Sequence, residues 1–165
     1  MFSLSSRVAL VTGGGTGIGA GIASGLASAG ATVVLVGRRA PPLEATARKI
    51  NDALADAAAP SRCHALPADI LDLDAAGDIV AQAAALGGAP VSILLNNAGL
   101  NVRKPAHELT AADWRTSLDL MLTAPFFLAR ACAPAMSEAR YRRILPTASP
   151  PSVPVSPPIP AFCGP

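Results

Sequence analysis

Apolar and polar positions alternate along this chain in blocks that predict strands and helices in turn. Two apolar runs, residues 8–11 and 32–36, are separated by a burst of glycines and an alanine-rich segment with helical spacing. The second run is apolar throughout, which is typical of a strand buried on both faces of a parallel sheet. The pattern therefore predicts strand, turn, helix and strand between Val8 and Gly37, the start of an α/β fold.

The helix predicted after the glycines has apolar residues at every fourth position. Ile18, Ile22 and Leu26 should form the stripe that faces the sheet, and the alanines between them keep the helix slim enough to lie close to it. Gly30 should end this helix.

The remainder of the chain continues the alternation of strands and helices. Helices are predicted at residues 41–58 and 73–86, and strands at residues 63–67 and 91–95. A long helix over residues 110–135 should begin at Thr110, which can form a capping box with Asp113, and Pro125 should kink it. A fifth strand is predicted at residues 144–148, although Pro146 removes a donor that an interior strand would use.

A change in composition divides the chain in two. Residues 1–145 are predicted to form one domain, and half of the 16 prolines lie in residues 146–165. So many prolines exclude a helix or an inner strand, and this tail is expected to be irregular.

Composition and charge limit the classes of partner. Apolar residues make up 51% of the chain and charged residues only 15%, so the chain is rich in residues that form a core and poor in residues that face water. Such a chain is expected to be covered, either by a partner or by a further part of its own. The net charge is +2, and the dense basic cluster at Arg140, Arg142 and Arg143 is better explained as cations at a helix end. We therefore predict no nucleic-acid partner.

Cysteine and histidine usage gives no sign of disulfides or metal. The cysteines are Cys63, Cys132 and Cys163. They are odd in number and widely spaced, and residues 1–7 lack a long apolar signal core, which favours a reducing, cytoplasmic location. Neither His64 nor His107 has neighbours at metal-ligand spacing, so no metal is assigned.

The candidate chemistry begins in the glycine turn at residues 12–19, whose sequence is TGGGTGIG. Glycine lets the backbone reverse sharply, bring its N–H groups close to a diphosphate and pack the next helix tightly on the strand. The anion would sit at the helix N-terminus, where free N–H groups and the helix dipole favour it. The spacing Gly13-x-x-x-Gly17-x-Gly19 differs from the G-x-G-x-x-G fingerprint, so this prediction depends on the strand-turn-helix context.

A membrane span is the alternative for this stretch, because no charged residue lies between Arg7 and Arg38. Nine glycines fall in that interval, together with several hydroxyl side chains. A spanning helix needs about 20 mostly apolar residues without such a cluster of helix breakers, so we predict no span here.

Polar residues also follow the second and third predicted strands. Arg38 and Arg39 come where a dinucleotide site selects its ribose, and arginine there accommodates a 2′-phosphate, whereas an acid would accept from a 2′-hydroxyl. The alternative is two arginines in a solvated loop. Asp69 lies just beyond the third strand and could accept a hydrogen bond from an adenine amino group.

The tetrad Asn96-Asn97-Ala98-Gly99 follows the fourth predicted strand at the same edge of the sheet. Taken alone it would be an ordinary turn. Together with the glycine turn and Asp69, at these separations, it makes the chain from Arg7 onward resemble the short-chain dehydrogenase/reductase family.

The resemblance implies a doubly wound, Rossmann-type parallel sheet that binds NAD(P)(H) and moves hydride between the nicotinamide and a carbonyl or alcohol. Arg38 and Arg39 resemble the version that prefers NADP(H), with NAD(H) the second choice. The cofactor-binding residues that it implies are Gly13, Gly15, Thr16, Gly17, Ile18, Gly19, Arg38, Arg39, Asp69, Ile70, Asn97, Ala98 and Gly99.

The catalytic residues of the family carry over only in part. The family's Asn, counted from Trp114, falls on Met121, its Ser matches Ser149, and its Tyr falls on Phe162. Its Lys falls just past Pro165. In the family the Tyr exchanges the substrate proton, the Lys lowers the Tyr pKa, the Ser orients the substrate oxygen and the Asn supports a proton relay. The resemblance thus implies the cofactor half of such an enzyme, with the C-terminal part of the fold missing.

Two hypotheses of function follow from the sequence. The chain is an oxidoreductase by lineage, inactive as it stands, or it is a non-catalytic dinucleotide-binding or interaction protein. In either case we expect homo-oligomers or aggregation, because a fifth strand at the sheet edge and the apolar face of the long helix would lack a cover.

Overall fold

The computed structural model describes residues 3–55 and 62–147, which fold into a five-stranded parallel sheet with helices on both faces. The strands are β1 Val8–Thr12, β2 Thr32–Gly37, β3 Cys63–Pro67, β4 Val91–Asn96 and β5 Arg143–Pro146. They lie in the order β3-β2-β1-β4-β5, and every pairing is parallel. The chain therefore runs outward from β1 in one direction and then in the other, which confirms the predicted doubly wound Rossmann arrangement.

The connections between the strands are mostly helical. The helices are α1 Gly17–Ser28, α2 Ala40–Ala53, α3 Ala76–Gly87, α4 Ala111–Leu118 and α5 Ala124–Glu138, with a short 3₁₀ turn at Ala106–Glu108 and a π-helical segment at Asp119–Thr123. Residues 8–37 thus form β1, α1 and β2, not one long helix.

Alternation along the inner strands builds one core on each face of the sheet. In β1, Val8 and Leu10 pack with α3 and α5, whereas Ala9 and Val11 pack with α1 and α2. A fully buried Val or Leu side chain contributes about 1.5–3 kcal/mol to stability, so the inner strands hold this part of the fold rigid. The strand ends that carry the polar residues are fixed by these two cores.

The long helix begins as predicted. The Thr110 hydroxyl accepts from the Asp113 N–H at 3.1 Å, and the Asp113 carboxylate accepts from the Thr110 N–H at 3.0 Å, which completes a capping box. Hydrogen bonds from Lys104 and from Thr110 lower the pKa of Asp113 to about 2. Asp113 therefore stays ionised and anchors the loop that leads into α4.

A kink was predicted at Pro125, and the structure has a π-helical turn directly before this residue. Pro125 has no N–H, and the preceding Ala124 N–H donates to the Asp119 carbonyl, five residues back. The turn is therefore widened over Asp119–Thr123, and α5 then continues past Pro134 in its interior.

Helices α4 and α5 with the π-helical segment make one continuous stretch, Ala111–Glu138. It is 28 residues long, and its most apolar window of 18 residues has a mean hydropathy of 1.3, so by length and composition it could cross a membrane. Core helices of soluble proteins meet the same criterion, and Leu128, Cys132 and Met136 are buried in the core beneath the sheet. The stretch is weak evidence for a membrane span.

The predicted buried stripe of α1 is wrong at Ile18. The residues of α1 that are fully buried are Gly19, Ala23 and Ala27, while Ile18 is 67% exposed. The buried positions of the helix are thus held by glycine and alanine, while Ile22 and Leu26 of the predicted stripe are partly buried and pack against the core on this face of the sheet. Ile18, in the first turn, projects beyond the ends of the strands.

Strand β5 is shorter than predicted and its side chains are exposed. Pro146 lies opposite Asn96 at the end of this strand, which is an edge strand among the described residues, so its missing N–H costs no ladder bond there. The next residue, Thr147, donates its N–H to the Asn96 carbonyl at 2.9 Å. Residues 148–165, including Ser149, Phe162 and nearly all of the predicted tail, lie outside the described residues.

His64 on β3 is expected to make stability depend on pH. It lies opposite Val34, its Nε2 atom is buried without a partner among the described residues, and burial, then the charge of Arg62, lowers its pKa. Because the unfolded chain takes up this proton more readily, the free energy of unfolding should fall as the pH drops through about 6.5 and below. Thermal melts from pH 7.5 to 5.5 measure this loss.

The change His64→Gln should flatten the pH dependence of the melting temperature, and His107→Gln is the matched control because His107 is exposed. Equal slopes for the unmodified chain and both variants would contradict the role of His64.

Candidate functional site

A cavity of about 540 Å³ opens at the carboxyl ends of the central strands, where the strand order reverses. Its wall comes from the turn after β1, the end of β2 with the start of α2, the loop after β3 and the loop after β4. The lining residues are Gly13, Gly15, Thr16, Ile18, Val36, Gly37, Arg38, Arg39, Pro42, Leu43, Ala68, Asp69, Ile70, Leu71, Asn97, Ala98, Gly99, Leu100, Thr116 and Leu120.

The predicted cofactor residues line the cavity, except Gly17 and Gly19, which lie in the same turn but not on the cavity wall. Gly17 has φ +56°, a left-handed conformation that favours glycine. A Cβ on Gly19 would collide with the Gly13 carbonyl oxygen and lie 2.5 Å from Asn97 Nδ2. We call residues 13–19 the glycine loop; its shape requires glycine at these two positions, although neither lines the cavity.

Asn97 and Thr12 tie the glycine loop to the loop after β4. Asn97 Nδ2 donates to the carbonyls of Thr12 at 3.1 Å and Gly13 at 3.3 Å. In return the Thr12 hydroxyl accepts the N–H groups of Asn97 and Ala98, both at 3.0 Å, and donates to the Leu95 carbonyl at 3.4 Å. These bonds join two walls of the cavity through one buried threonine.

Asn97 is also linked to the end of β5. Its Oδ1 accepts from the Thr147 hydroxyl at 3.3 Å. The neighbouring Asn96 differs, because its Oδ1 is buried and has no partner among the described residues. The side-chain amide of Asn97 therefore connects the end of β1, the glycine loop and the end of β5. Its hydrogen bonds to these segments use most of its donors and acceptors.

Arg38 and Arg39 stand at the rim where α2 begins. Arg39 is the residue before the first turn of α2 and, with Gly37, lies on the cavity wall. In residues 3–55 and 62–147 neither guanidinium forms an ion pair with a carboxylate. Two unpaired cations at the rim of a cavity favour an anionic group of a ligand at that position.

Asp69 and Ile70, in the loop after β3, form another part of the cavity wall. Asp69 Oδ1 accepts from the Leu71 N–H at 3.1 Å, which holds the loop after β3 and leaves the other carboxylate oxygen without a protein donor among the described residues. Ile70 is buried in the core with Leu66 and Ile79. This side thus combines an apolar wall with one free acceptor.

Several lining residues were not predicted from the sequence. Val36 and Gly37 end β2, and Pro42 and Leu43 begin α2, so the position of these elements could have indicated them. Thr116 and Leu120 carry no local signal, because only the packing of the long helix over the sheet brings them to the cavity.

Met121, which the resemblance assigns to the position of the family's Asn, lies in the π-helical segment. Its Sδ lies 4.0 Å from the point where a Cβ on Gly99 would be, so it borders the loop after β4. A thioether is a weak acceptor and cannot donate a proton. Ser149 and Phe162, the other two correspondences, lie outside the described residues.

The described residues offer no activated nucleophile and no metal centre. Burial raises the pKa of Cys63 and of Cys132 to about 12, so both thiols stay protonated, and both lie in the core. Within residues 3–55 and 62–147 no three His, Cys, Asp or Glu side chains are grouped to hold a metal ion.

Comparison with known proteins identifies relatives over nearly the whole chain. A family model described as short chain dehydrogenase matches residues 7–163. Gluconate 5-dehydrogenase from Gluconobacter oxydans (strain 621H) is 35% identical over 133 residues, which is 81% of this chain and 49% of that protein.

Solved structures of oxidoreductases also match this chain. A metagenomic short-chain oxidoreductase in complex with NADP matches with a TM-score of 0.79 and 36% identity, covering 88% of this chain and 63% of the other. L-Sorbose reductase from Gluconobacter frateurii, complexed with NADPH and L-sorbose, matches with a TM-score of 0.85 and 28% identity, covering 98% and 59%. The chain spans about half the length of the curated relatives it matches.

Proposed function

Because this chain belongs to the short-chain dehydrogenase/reductase family, we propose that it is the cofactor-binding part of an NADP(H)-dependent oxidoreductase. The reaction proposed from the family is hydride transfer between the nicotinamide and a carbonyl or alcohol. The observation that carries the proposal is the cavity at the switch point of the sheet, bounded by the glycine loop on one side and by Arg38 and Arg39 on another.

The residues around the cavity fit each part of NADP(H). The diphosphate fits the glycine loop at the N-terminus of α1, where free N–H groups favour an anion. The 2′-phosphate fits the unpaired guanidiniums of Arg38 and Arg39, and the adenine amino group fits the free oxygen of Asp69. The nicotinamide end would then lie near Asn97 to Gly99 and, when bound, would supply or accept the hydride.

The second candidate function is non-catalytic dinucleotide binding. The observation that favours it is Met121, which lies beside the loop after β4 where the family has an Asn, together with Phe162 in place of the Tyr. Neither side chain can give or take a proton. We propose that this chain, as it stands, binds the cofactor without rapid catalysis, in a cytoplasmic setting that keeps Cys63 and Cys132 as free thiols.

A thermal melt of the 165-residue chain with added dinucleotide tests the proposal. A ligand that binds only the folded state at 100 times its Kd stabilises it by about 2.7 kcal/mol. For a domain of this size each kcal/mol raises the melting temperature by about 2–4 °C, so NADPH should raise it by several degrees. The absence of a shift with both NADPH and NADH would overturn the proposed function.

The chain is also expected to associate through the outer face of the long helix. Trp114, Leu118, Leu122 and Phe126 recur at every fourth position and are 55%, 38%, 64% and 61% exposed. Exposed apolar surface of this extent promotes association, and β5 adds an unpaired edge among the described residues. Light scattering over a concentration series should therefore show oligomers or aggregates.

Replacing Leu122 and Phe126 with Arg should shift the population towards monomer, whereas Leu86→Arg on α3, another exposed apolar position, should not. A sharp monomer peak from the unmodified chain at every concentration would contradict the expectation.

A further inference from the structure

Thr46 connects helix α2 to the glycine loop. Its Oγ1 donates to the Gly15 carbonyl at 2.9 Å, and the bond is partly buried. It joins residues that are 31 positions apart in the chain. Thr46 itself does not line the cavity, so any effect on a ligand must act through Gly15, which does.

Packing from α2 restrains Gly15 from the same side. A Cβ on Gly15 would lie 3.2 Å from the Leu43 backbone nitrogen and 3.3 Å from Leu43 Cδ2, closer than most real Cβ contacts. Leu43 is 2% exposed and belongs to the core between the sheet and α1 and α2. Gly15 is thus pressed against the first turns of α2, and the Thr46 hydroxyl sets the direction of its carbonyl.

The direction of this carbonyl decides where the next N–H points. In a trans peptide the C=O and N–H bonds point to opposite sides, and the described residues contain no cis peptide bond. With the Gly15 carbonyl turned to α2, the Thr16 N–H is turned away from that helix. Among the described residues this N–H has no backbone acceptor, so it is free to donate to a ligand.

We propose that Thr46 is a positioning residue for diphosphate binding, which it serves by holding the Gly15–Thr16 peptide in one orientation. The proposal rests on the proposed function, because it assigns the diphosphate of the dinucleotide to the glycine loop. Helix α2 would then contribute to the site twice: Arg39, at its start, would contact the 2′-phosphate, and Thr46, in its second turn, holds the glycine loop.

Thr46→Val removes the hydroxyl at nearly constant shape, and Thr46→Ser keeps it. Equilibrium binding of NADPH and of adenosine 2′-monophosphate, which has no diphosphate, separates the two parts of the site. For Thr46→Val the Kd for NADPH should rise about threefold to tenfold, the range of one lost neutral hydrogen bond. The Kd for adenosine 2′-monophosphate should change less than about twofold in the same variant. Thr46→Ser should bind NADPH like the unmodified chain.

Thr123→Val is the matched control, because the Thr123 hydroxyl makes only long contacts of 3.4 and 3.5 Å away from the cavity. If Thr46→Val weakens both ligands equally, the threonine only stabilises α2 and the proposal is overturned. Unchanged NADPH binding by Thr46→Val overturns this proposal alone, whereas no NADPH binding by the unmodified chain overturns the proposed function as well.

Discussion

The unmodified chain should reduce ketones and aldehydes about 10²-fold to 10⁴-fold more slowly than an enzyme with a positioned proton donor. The resemblance assigns Phe162 to the position of the family's Tyr, and a phenyl ring has no proton to give. Met121 cannot replace the Asn in a proton relay, and Ser149 can orient a carbonyl but cannot protonate it efficiently. NADPH consumption, followed by its absorbance with a panel of carbonyl compounds, measures this rate.

Two variants test separately the Tyr and the Lys that the resemblance assigns to catalysis. Phe162→Tyr alone should restore little, because an unassisted phenol keeps a pKa near 10 and is a poor acid at neutral pH. Phe162→Tyr in a chain extended by a family-like segment, with Lys four residues after the Tyr, should restore more, since the cation lowers the pKa of the phenol. Robust turnover by the unmodified chain that is abolished by Ser149→Ala would show that the catalytic group has been misassigned.

NADPH should bind more tightly than NADH, and Arg38→Asp should reverse this preference. The guanidinium at the rim of the cavity is unpaired among the described residues, so it can form charge-assisted hydrogen bonds with a 2′-phosphate. Losing such a bond costs about 1.5–3 kcal/mol, or roughly 10-fold to 150-fold in Kd for NADPH. The new carboxylate repels the phosphate and can accept from the 2′-hydroxyl of NADH.

Arg48→Asp is the matched control for this change. Arg48 is exposed on α2, which begins two residues after Arg38, and it does not line the cavity, so its replacement makes the same change in net charge away from the proposed phosphate. Titrations should show an unchanged preference for NADPH in this variant. Equal loss of NADPH binding in both variants would mean that general charge, not a contact at Arg38, selects the cofactor.

The fold could be predicted from the sequence because its signals are local. The apolar runs that became β1 and β2, and the cap at Thr110, each depend on a few neighbouring residues. Ile18 was misassigned because its helix lies so close to the sheet that Gly19 and Ala23 fill the contact. The sequence predicted a kink at Pro125 but not the π-helical turn before it, since that turn depends on which carbonyl accepts the Ala124 N–H.

The meeting of the predicted site residues at one edge of the sheet could be predicted for a similar reason. Residues that follow strand ends, such as Arg38, Asp69 and Asn97, meet at one edge because parallel strands share their direction. Thr116 was missed because a helix distant in sequence brings it to the cavity, and Thr46 because its partner is the carbonyl of Gly15, which no sequence pattern reveals. The contacts of these residues with a cofactor remain predictions.

Isothermal titration calorimetry of the 165-residue chain with NADPH, and with NADH under the same buffer and salt, tests the central claim most directly. The account predicts a saturable heat with one NADPH bound per chain, and a weaker interaction with NADH. No saturable heat with NADPH, or NADH binding at least as tight, would contradict the assignment of the cavity to NADP(H).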